Sequence, residues 1–446
     1  MLDKIDISAR EMVTLAGNLF AAQKFDQAGR LYQAAANVEP DNFDAVHGAG
    51  CSLAIVKKYA EALPWIDRAS NIAFRKLMMA SLAKAVALGE MGRTDEAFGM
   101  INGMLAHDPG NAMLHYNRAV LLTQLFRFSE ALDEYDAVIK LDPTLNADVG
   151  SPAYSRGFIH MMLGNYADGL RDLEDRPKLP LPPHLSGEQW TGTQDLDGKT
   201  IVVLWERGLG DNIMFARYLP VITARWDARV VFFIPPGLPE ALAAMPGVEV
   251  VTEDAGLKAV RADYWVRIMS LAYCLRTTKA TIPPPVPLAH DDELLAKWRW
   301  FRGMGSQPHG DDPFRVGLCW AGALKKRHPR LRFYGLQQDI REGDRDAAAV
   351  LDIEHIGEQF GNFRDTAHAM KCLDLVITCD TSIAHMAGTV GVPTWVLLTT
   401  FRTPWVYGET KSAWYPSMTC FRQDTDGDWP GVVARLTGEL ETLMSR

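Results

Sequence analysis

The feature that most constrains this chain is a spacing. Small residues recur at Ala28, Ala62, Ala97, Ala131 and Gly169, in steps of 34, 35, 34 and 38 residues. A second set runs upstream of them at Gly17, Gly50, Ala85, Ala119 and Gly157. An aromatic or aliphatic residue follows each member of the first set by four positions: Tyr32, Ile66, Ile101, Tyr135 and Leu173. Prolines close units one, three and four at Pro40, Pro109 and Pro143, where unit two has Phe74. A period of this length predicts a stack of two-helix units, none of which can bury its apolar face alone. Small residues let the two helices of a unit approach closely, and proline ends the second helix. Unit one is a residue short between its helices. The fifth unit is degenerate and is expected to cap the stack.

Over roughly residues 8–177 these positions resemble the tetratricopeptide repeat,. Residues 1–177 are therefore assigned to an all-α solenoid. The resemblance implies a concave groove that takes a polypeptide acceptor or partner, with Asn18, Asn117 and Arg118 as candidate groove residues. The plainer readings are that these polar side chains sit on solvated helix faces, and that the helices only hold the next domain or dimerise.

Composition narrows the function classes. A net charge of −9 argues against a general nucleic-acid binder,. The N-terminal run Met1–Val13 lacks the apolar core of a signal peptide, and no stretch is long and apolar enough to span a membrane,. The six cysteines contain no Cys-x-x-Cys pair and read as reduced thiols, so the expected compartment is the cytoplasm,.

After a proline-rich linker at 178–198 the pattern changes to short apolar runs alternating with helical stretches. Strands are expected at 200–205, 229–234, 248–251 and 263–268, with a helix over 211–225. A connector at 291–313 carries a charged helix, and alternation resumes with strands at 315–320, 351–356, 374–378 and 394–398. Such alternation predicts parallel sheets with crossover helices. Two α/β halves, 199–290 and 314–446, leave a cleft where a ligand commonly sits,.

Three segments carry chemistry. The first strand of the first half runs into Gly208-Leu209-Gly210-Asp211-Asn212. Glycines here let backbone approach a ligand, yet neither a dinucleotide fingerprint nor a P-loop is complete. Alone, Asp211 reads as a helix N-cap; facing a cleft, its carboxylate could serve as a general base. The first strand of the second half runs into Trp320-Ala321-Gly322, followed by five cations in eight residues: Lys325, Lys326, Arg327, Arg330 and Arg332. This is an anion-facing loop or an exposed basic one. Third, an apolar strand at 375–378 leads into Asp380, Thr381 and Ser382, with His385 one turn on. A helix start at the carboxyl end of a parallel strand is a ready phosphate site.

These segments, together with Phe215-Ala216-Arg217-Tyr218, Asp365-Thr366-Ala367, Trp414-Tyr415-Pro416-Ser417 and Phe421-Arg422-Gln423, occur in order over about 200–425. In that order they resemble the heptosyltransferase-like, family 9-like glycosyltransferases of the GT-B fold, in the bacterial form that follows tetratricopeptide repeats. The resemblance implies two Rossmann-like halves, an acceptor side at 199–290 and a donor side at 314–446, and inverting transfer from a nucleotide-sugar. Asp211 would be the base, and Gly208, Gly210 and Asn212 would form the acceptor-side loop. Asp380, Thr381, Ser382, His385, Lys326, Arg332, Trp320 and Gly322 would hold the donor. The nucleotide-sugar is a co-substrate, and neither a cofactor nor a metal is required. The acceptor would be a Ser or Thr hydroxyl of a protein in the groove, with flagellin or another surface protein implied by bacterial relatives of this layout. The alternatives are a saccharide acceptor of the lipopolysaccharide type and a non-catalytic scaffold with a degenerate transferase domain.

Two decoys remain. Asp426-Gly427-Asp428, with Asp424, has the spacing of a metal motif but sits before the last helix, where a turn is the better reading,. His107 and His115 read as solenoid surface or packing residues.

Overall fold

A computed structural model describes residues 7–445, except 71, 73, 146–149, 235–237, 239–244, 288–289, 300–312, 320–328, 339–351, 401–409 and 426. The chain forms two compact units, Met1–Arg156 and Gly157–Arg446.

The first unit contains four helical hairpins. They are α1 (Ala9–Ala21) with α2 (Phe25–Val38), α3 (Phe43–Ile55) with α4 (Tyr59–Ser70), α5 (Phe74–Glu90) with α6 (Thr94–His107), and α7 (Ala112–Gln124) with α8 (Phe128–Leu141). Ala28, Ala62, Ala97 and Ala131 are fully buried, as close approach requires. A Cβ placed on Gly50 would lie 2.7 Å from Ile66 Cγ1, so the small residue is a steric necessity. Helices α2, α6 and α8 each end two residues before Pro40, Pro109 and Pro143, because the residue before proline is pushed out of the helical region,. The turn inside each hairpin passes through the left-handed region at Gln23, Lys57, Gly92 and Phe126. Three of these four are not glycine, so the sequence gives no sign of them.

The second unit opens with the fifth hairpin. The division at Arg156 falls within α9 (Pro152–Met162), which is followed by α10 (Tyr166–Asp172). Its turn residue, Gly164, is also left-handed. Gly169 and Met161 pack so tightly that a Cβ on Gly169 would lie 2.8 Å from the thioether sulfur. The fifth repeat thus has the geometry of its predecessors but groups with the α/β part of the chain.

The first sheet is parallel, in the order β1-β5-β2-β3-β4. Its strands are β1 (Glu188–Gln189), β2 (Thr200–Leu204), β3 (Arg229–Phe233), β4 (Val248–Val251) and β5 (Tyr264–Arg267). Helices α11 (Leu209–Phe215) and α12 (Leu219–Arg225) follow β2, and α13 (Ser270–Cys274) follows β5. Apolar runs such as Ile201–Leu204, buried on both faces, are what a covered parallel sheet demands,. Helix α14 (Asp292–Trp298) leads to the second sheet, also parallel, in the order β11-β10-β9-β6-β7-β8. Its strands are β6 (Phe314–Cys319), β7 (Leu331–Gly335), β8 (Ile353–His355), β9 (Leu375–Cys379), β10 (Thr394–Leu398) and β11 (Met418–Arg422). Helix α15 (Phe363–Met370) precedes β9, α16 (Ser382–Val390) follows it, and α17 (Trp429–Met444) closes the chain. Val316, Leu318, Ile377, Leu397, Val432 and Leu436 form the core between this sheet and α17.

Every expected strand forms, and β1, β7 and β11 are additional. Strand β7 corrects the reading of the basic loop at Leu331 and Arg332, while Arg330 lies in the turn before it. Leu331 and Phe333 are buried while Arg332 is exposed, and Leu331 pairs with Phe314. A period-two start was hidden there because Arg332 stands between Leu331 and Phe333 directly after a basic run,.

Candidate active site

The first edge is built where β2 ends. Gly208 caps α11, and Asp211 is the third residue of the helix, not its cap. Asp211 Oδ2 accepts the Gly208 N–H at 3.1 Å, one half of a capping box whose other half glycine cannot supply,. Burial raises the Asp211 carboxyl above its ordinary value, against the backbone bond and the Arg207 charge, which lower it. The loop before it is stapled by Asn212, which is fully buried. Its Nδ2 donates to Glu206 O at 2.9 Å and Gly208 O at 2.8 Å, and its Oδ1 accepts the Glu206 N–H at 3.2 Å. Asn212 is therefore a positioning residue. Arg207 sits at φ 57°, a left-handed conformation that a non-glycine residue keeps only when its surroundings impose it,.

The second edge is built where β9 ends. Thr381 is the N-cap of α16, yet its hydroxyl does not cap the helix and instead lies 3.4 Å from that of Thr378. Asp380 and Thr381 are exposed and Ser382 is half-buried. His385 is buried, with Nδ1 3.3 Å from the Tyr415 hydroxyl and Nε2 3.9 Å from Asp380 Oδ1. Burial, with the nearby Arg217 cation, pushes its imidazole down to about 3, so it is neutral at ordinary pH,. Gly388 leaves room for Tyr415, whose ring would lie 2.5 Å from a Cβ there.

The two edges meet. A Cβ on Gly210 would lie 2.6 Å from His385 Cδ2 and 3.4 Å from Ser382 Cα, so the glycine of one half is seated on the helix start of the other. Arg217, 2% exposed, spans the same seam. Its Nε donates to Met214 O at 2.7 Å, and its Nη1 to Pro283 O at 3.1 Å and Trp414 O at 2.7 Å. Its guanidinium lies 5.5 Å from the Trp414 ring centre and 4.6 Å from that of Tyr415. The structure thus brings together Gly208, Gly210, Asp211, Ser382 and His385, with Arg217, Trp414 and Tyr415 as the clamp.

Other expected residues fall elsewhere. Arg332 pairs with Arg315 at the start of β6, whereas Thr378 pairs with Cys319 at its end. Four residues of strand, about 13 Å, separate those registers. Arg332 Nη1 donates to Pro329 O at 2.7 Å and Leu331 O at 3.0 Å. It is at the opposite end of the sheet from Asp380, a position that does not fit its expected place beside that turn. Arg330, directly before β7, shares that end. Trp320, Gly322, Lys325, Lys326 and Arg327 lie outside the described residues. Asp365 accepts from Trp298 Nε1 at 2.5 Å, Lys297 Nζ at 2.7 Å and the Gly361 N–H at 3.0 Å, tying α14 to α15. Asp428 caps α17 by accepting the Gly431 N–H at 2.9 Å, and Asp426 lies outside the described residues. In the repeats, Arg118 is bound to Glu134 and to Asn102 Oδ1, and His115 Nδ1 lies 2.6 Å from Glu134 Oε2, so both serve packing. Asn117 Nδ2 donates back to Met113 O at 2.8 Å. Asn18 is exposed on α1. Among the described residues no His, Cys, Asp and Glu side chains gather as a metal site, and no helix is long and apolar enough to cross a membrane.

Sequence reasoning missed a buried ion network behind the first edge. Arg176 forks onto Glu206, Nε to Oε1 at 3.0 Å and Nη2 to Oε2 at 2.7 Å, and both side chains are essentially inaccessible. Neither residue carried a local signal, since a pairing 30 residues apart leaves no pattern in one sequence.

The chain is similar to several known proteins. A family model described as tetratricopeptide repeat matches residues 82–146. Protein FlbA of Caulobacter vibrioides is 25% identical over 449 residues, spanning 90% of this chain and 73% of that protein. Among solved structures, the glycosyl transferase family 9 protein from Veillonella parvula is 14% identical, with 57% of this chain and 99% of that chain covered and a TM-score of 0.42. MamA from Desulfovibrio magneticus RS-1 is 17% identical, with 37% of this chain and 90% of that chain covered and a TM-score of 0.30. The chain is a tetratricopeptide-type helical array followed by two parallel-sheet, Rossmann-like halves.

Proposed function

We propose that this chain is an inverting glycosyltransferase that moves a sugar from a nucleotide-sugar to a Ser or Thr hydroxyl of a polypeptide held by the repeats. The observation that carries the reading is the seam itself. A half-buried carboxylate on one sheet edge is packed against a helix start on the other, through Gly210 on His385 and Ser382.

Asp211 takes the proton of the acceptor hydroxyl as its oxygen attacks the anomeric carbon. The bond from that carbon to the diphosphate oxygen breaks, and the electron pair leaves with the nucleoside diphosphate. Free backbone N–H groups at the start of α16, with the Thr381 and Ser382 hydroxyls, receive the developing charge. A carboxyl raised by burial is a better base near neutrality than an exposed one,. Asp380, itself an anion, suits the sugar hydroxyls of the donor better than its phosphates. His385 is buried and neutral, and acts by holding the seam closed. Lys326, Trp320 and Gly322 remain donor-side residues in this reading.

Thermal-shift titration with nucleoside diphosphates and nucleotide-sugars tests it. A ligand at a hundredfold excess over its Kd should stabilise the fold by about 2.7 kcal/mol. No stabilisation by any of them would favour a non-catalytic scaffold. Intact-mass analysis of coexpressed proteins and of saccharide acceptors then decides which class of hydroxyl is modified.

A further inference from the structure

The fifth hairpin ends in a short turn, Leu173–Asp175, and the residues at this turn are wired to the first edge of the site. Arg176 makes its two bonds to Glu206, donates through Nη2 to Ser270 Oγ at 2.8 Å, and donates through Nη1 to Glu174 Oε1 at 2.7 Å and Leu173 O at 3.0 Å. The Ser270 hydroxyl in turn donates to Glu174 Oε2 at 2.8 Å. Arg176, Glu206 and Ser270 are 3%, 0% and 2% exposed. Glu206 is the residue whose backbone N–H and carbonyl are both held by Asn212, one position before the left-handed Arg207 and two before Gly208. A buried bidentate pair fixes both partners in position and orientation. Its geometry is far more specific than solubility or simple packing would need, since a well-packed apolar pair is often as stable.

We infer that Arg176 is a positioning residue for the proposed base Asp211, acting through Glu206 and the 206–208 loop. The inference rests on the transferase reading for its functional meaning, but the coupling it asserts does not. Arg176 sets the height and angle of Glu206 at the end of β2. Glu206 and Asn212 then set the loop that offers the Gly208 N–H to the Asp211 carboxylate. The last turn of the repeat array is therefore part of the catalytic half, which fits its place in the second compact unit. Asp211 feels charge from this network as well as shape. The groups that face it are Glu206, Arg207 and Arg176 on its own half, and Tyr415 on the other, with His385 and Arg217 around that ring and Asp380 beyond His385.

Two variants of the full chain test the inference. Glu206→Gln keeps the length of the side chain and one of the two bonds from Arg176, and removes one negative charge while Arg176 stays positive. The Asp211 carboxyl, followed by carbon-13 NMR and assigned with Asp211→Asn, should then titrate at lower pH than in the parent. An unchanged midpoint would overturn the coupling, whatever the protein's activity. The double variant Arg176→Met with Glu206→Met replaces the pair by apolar side chains of similar reach. It should retain the melting temperature and nucleoside diphosphate affinity, yet lose turnover at saturating donor by about tenfold or more. Full turnover in a stable double variant would show the pair to be structural only. A parent chain with no turnover would sink the transferase reading, while the titration would still decide the coupling.

Discussion

At the β2 edge nearly every polar side chain is already committed. Asn212 makes three bonds to the loop, Arg176 and Glu206 lock each other, and the Asp211 carboxylate receives the Gly208 N–H. At the β9 edge the opposite holds. The structure is set by packing, with Gly388 against Tyr415 and His385 beneath the turn, while the Thr381 hydroxyl caps nothing and Asp380 and Thr381 face solvent. One edge spends its hydrogen bonds on placing a single carboxylate. The other leaves the first turn of α16 without a side-chain cap from Thr381. A base must be held in one place before substrate arrives, whereas a leaving-group site must have donors left to give.

The contrast can be broken from either side. The largest effect is expected for Asn212→Ala. It strands the Glu206 carbonyl and N–H in a buried loop and should cost about 2–4 kcal/mol by denaturant melting,. A cost near zero would mean that the loop is held by something other than this staple. Next is Gly388→Ala, which places a methyl 2.5 Å from the Tyr415 ring and should cost about 1–3 kcal/mol,. A neutral outcome would show that Tyr415 can move and that packing does not fix the β9 edge.

His385 gives a pH signature. Its folded value of about 3 lies below the ordinary 6.5, so between those values the unfolded chain binds the extra proton. Stability should therefore be full above about pH 6.5 and should fall as the pH drops toward 3, by at most about 1.4 kcal/mol per pH unit. His385→Gln should flatten that part of the stability profile. The smallest effect is Thr381→Ala, with stability within about 0.5 kcal/mol of the parent. Nucleoside diphosphate affinity should nonetheless fall about fivefold, near 1 kcal/mol. A large loss of stability instead would mean that this hydroxyl is committed like those of the other edge.

What the chain disclosed in advance follows the range of the interactions. The repeat was legible because its contacts recur at fixed spacing, as with Ile66 against Gly50. The left-handed turns at Gln23, Lys57 and Phe126 were not, since tertiary packing overrides a local preference for glycine there,. Strands with long apolar runs were legible, and β7 was not, because it directly follows a basic run and carries Arg332 as its second residue. The site was half legible. Motif order pointed to Gly208–Asp211 and Asp380–His385, and their meeting at Gly210 supports treating them as one site. Arg332 was misplaced because sheet register, not distance along the chain, decides which end of a strand a residue occupies. Arg217 and Tyr415 stood in the ordered motifs, but their pairing across the seam, like that of Arg176 with Glu206, spans 30 to 197 residues, where no local pattern reaches.

The central claim is that Asp211 activates the acceptor while the Asp380–His385 turn receives the leaving group. The most direct test is intact-mass analysis of an acceptor protein coexpressed with the parent chain or with Asp211→Asn, both verified as folded. The parent should add a sugar-sized mass, and the variant should slow that addition by about 10²- to 10⁴-fold. A mass gain that persists undiminished in Asp211→Asn would contradict the account.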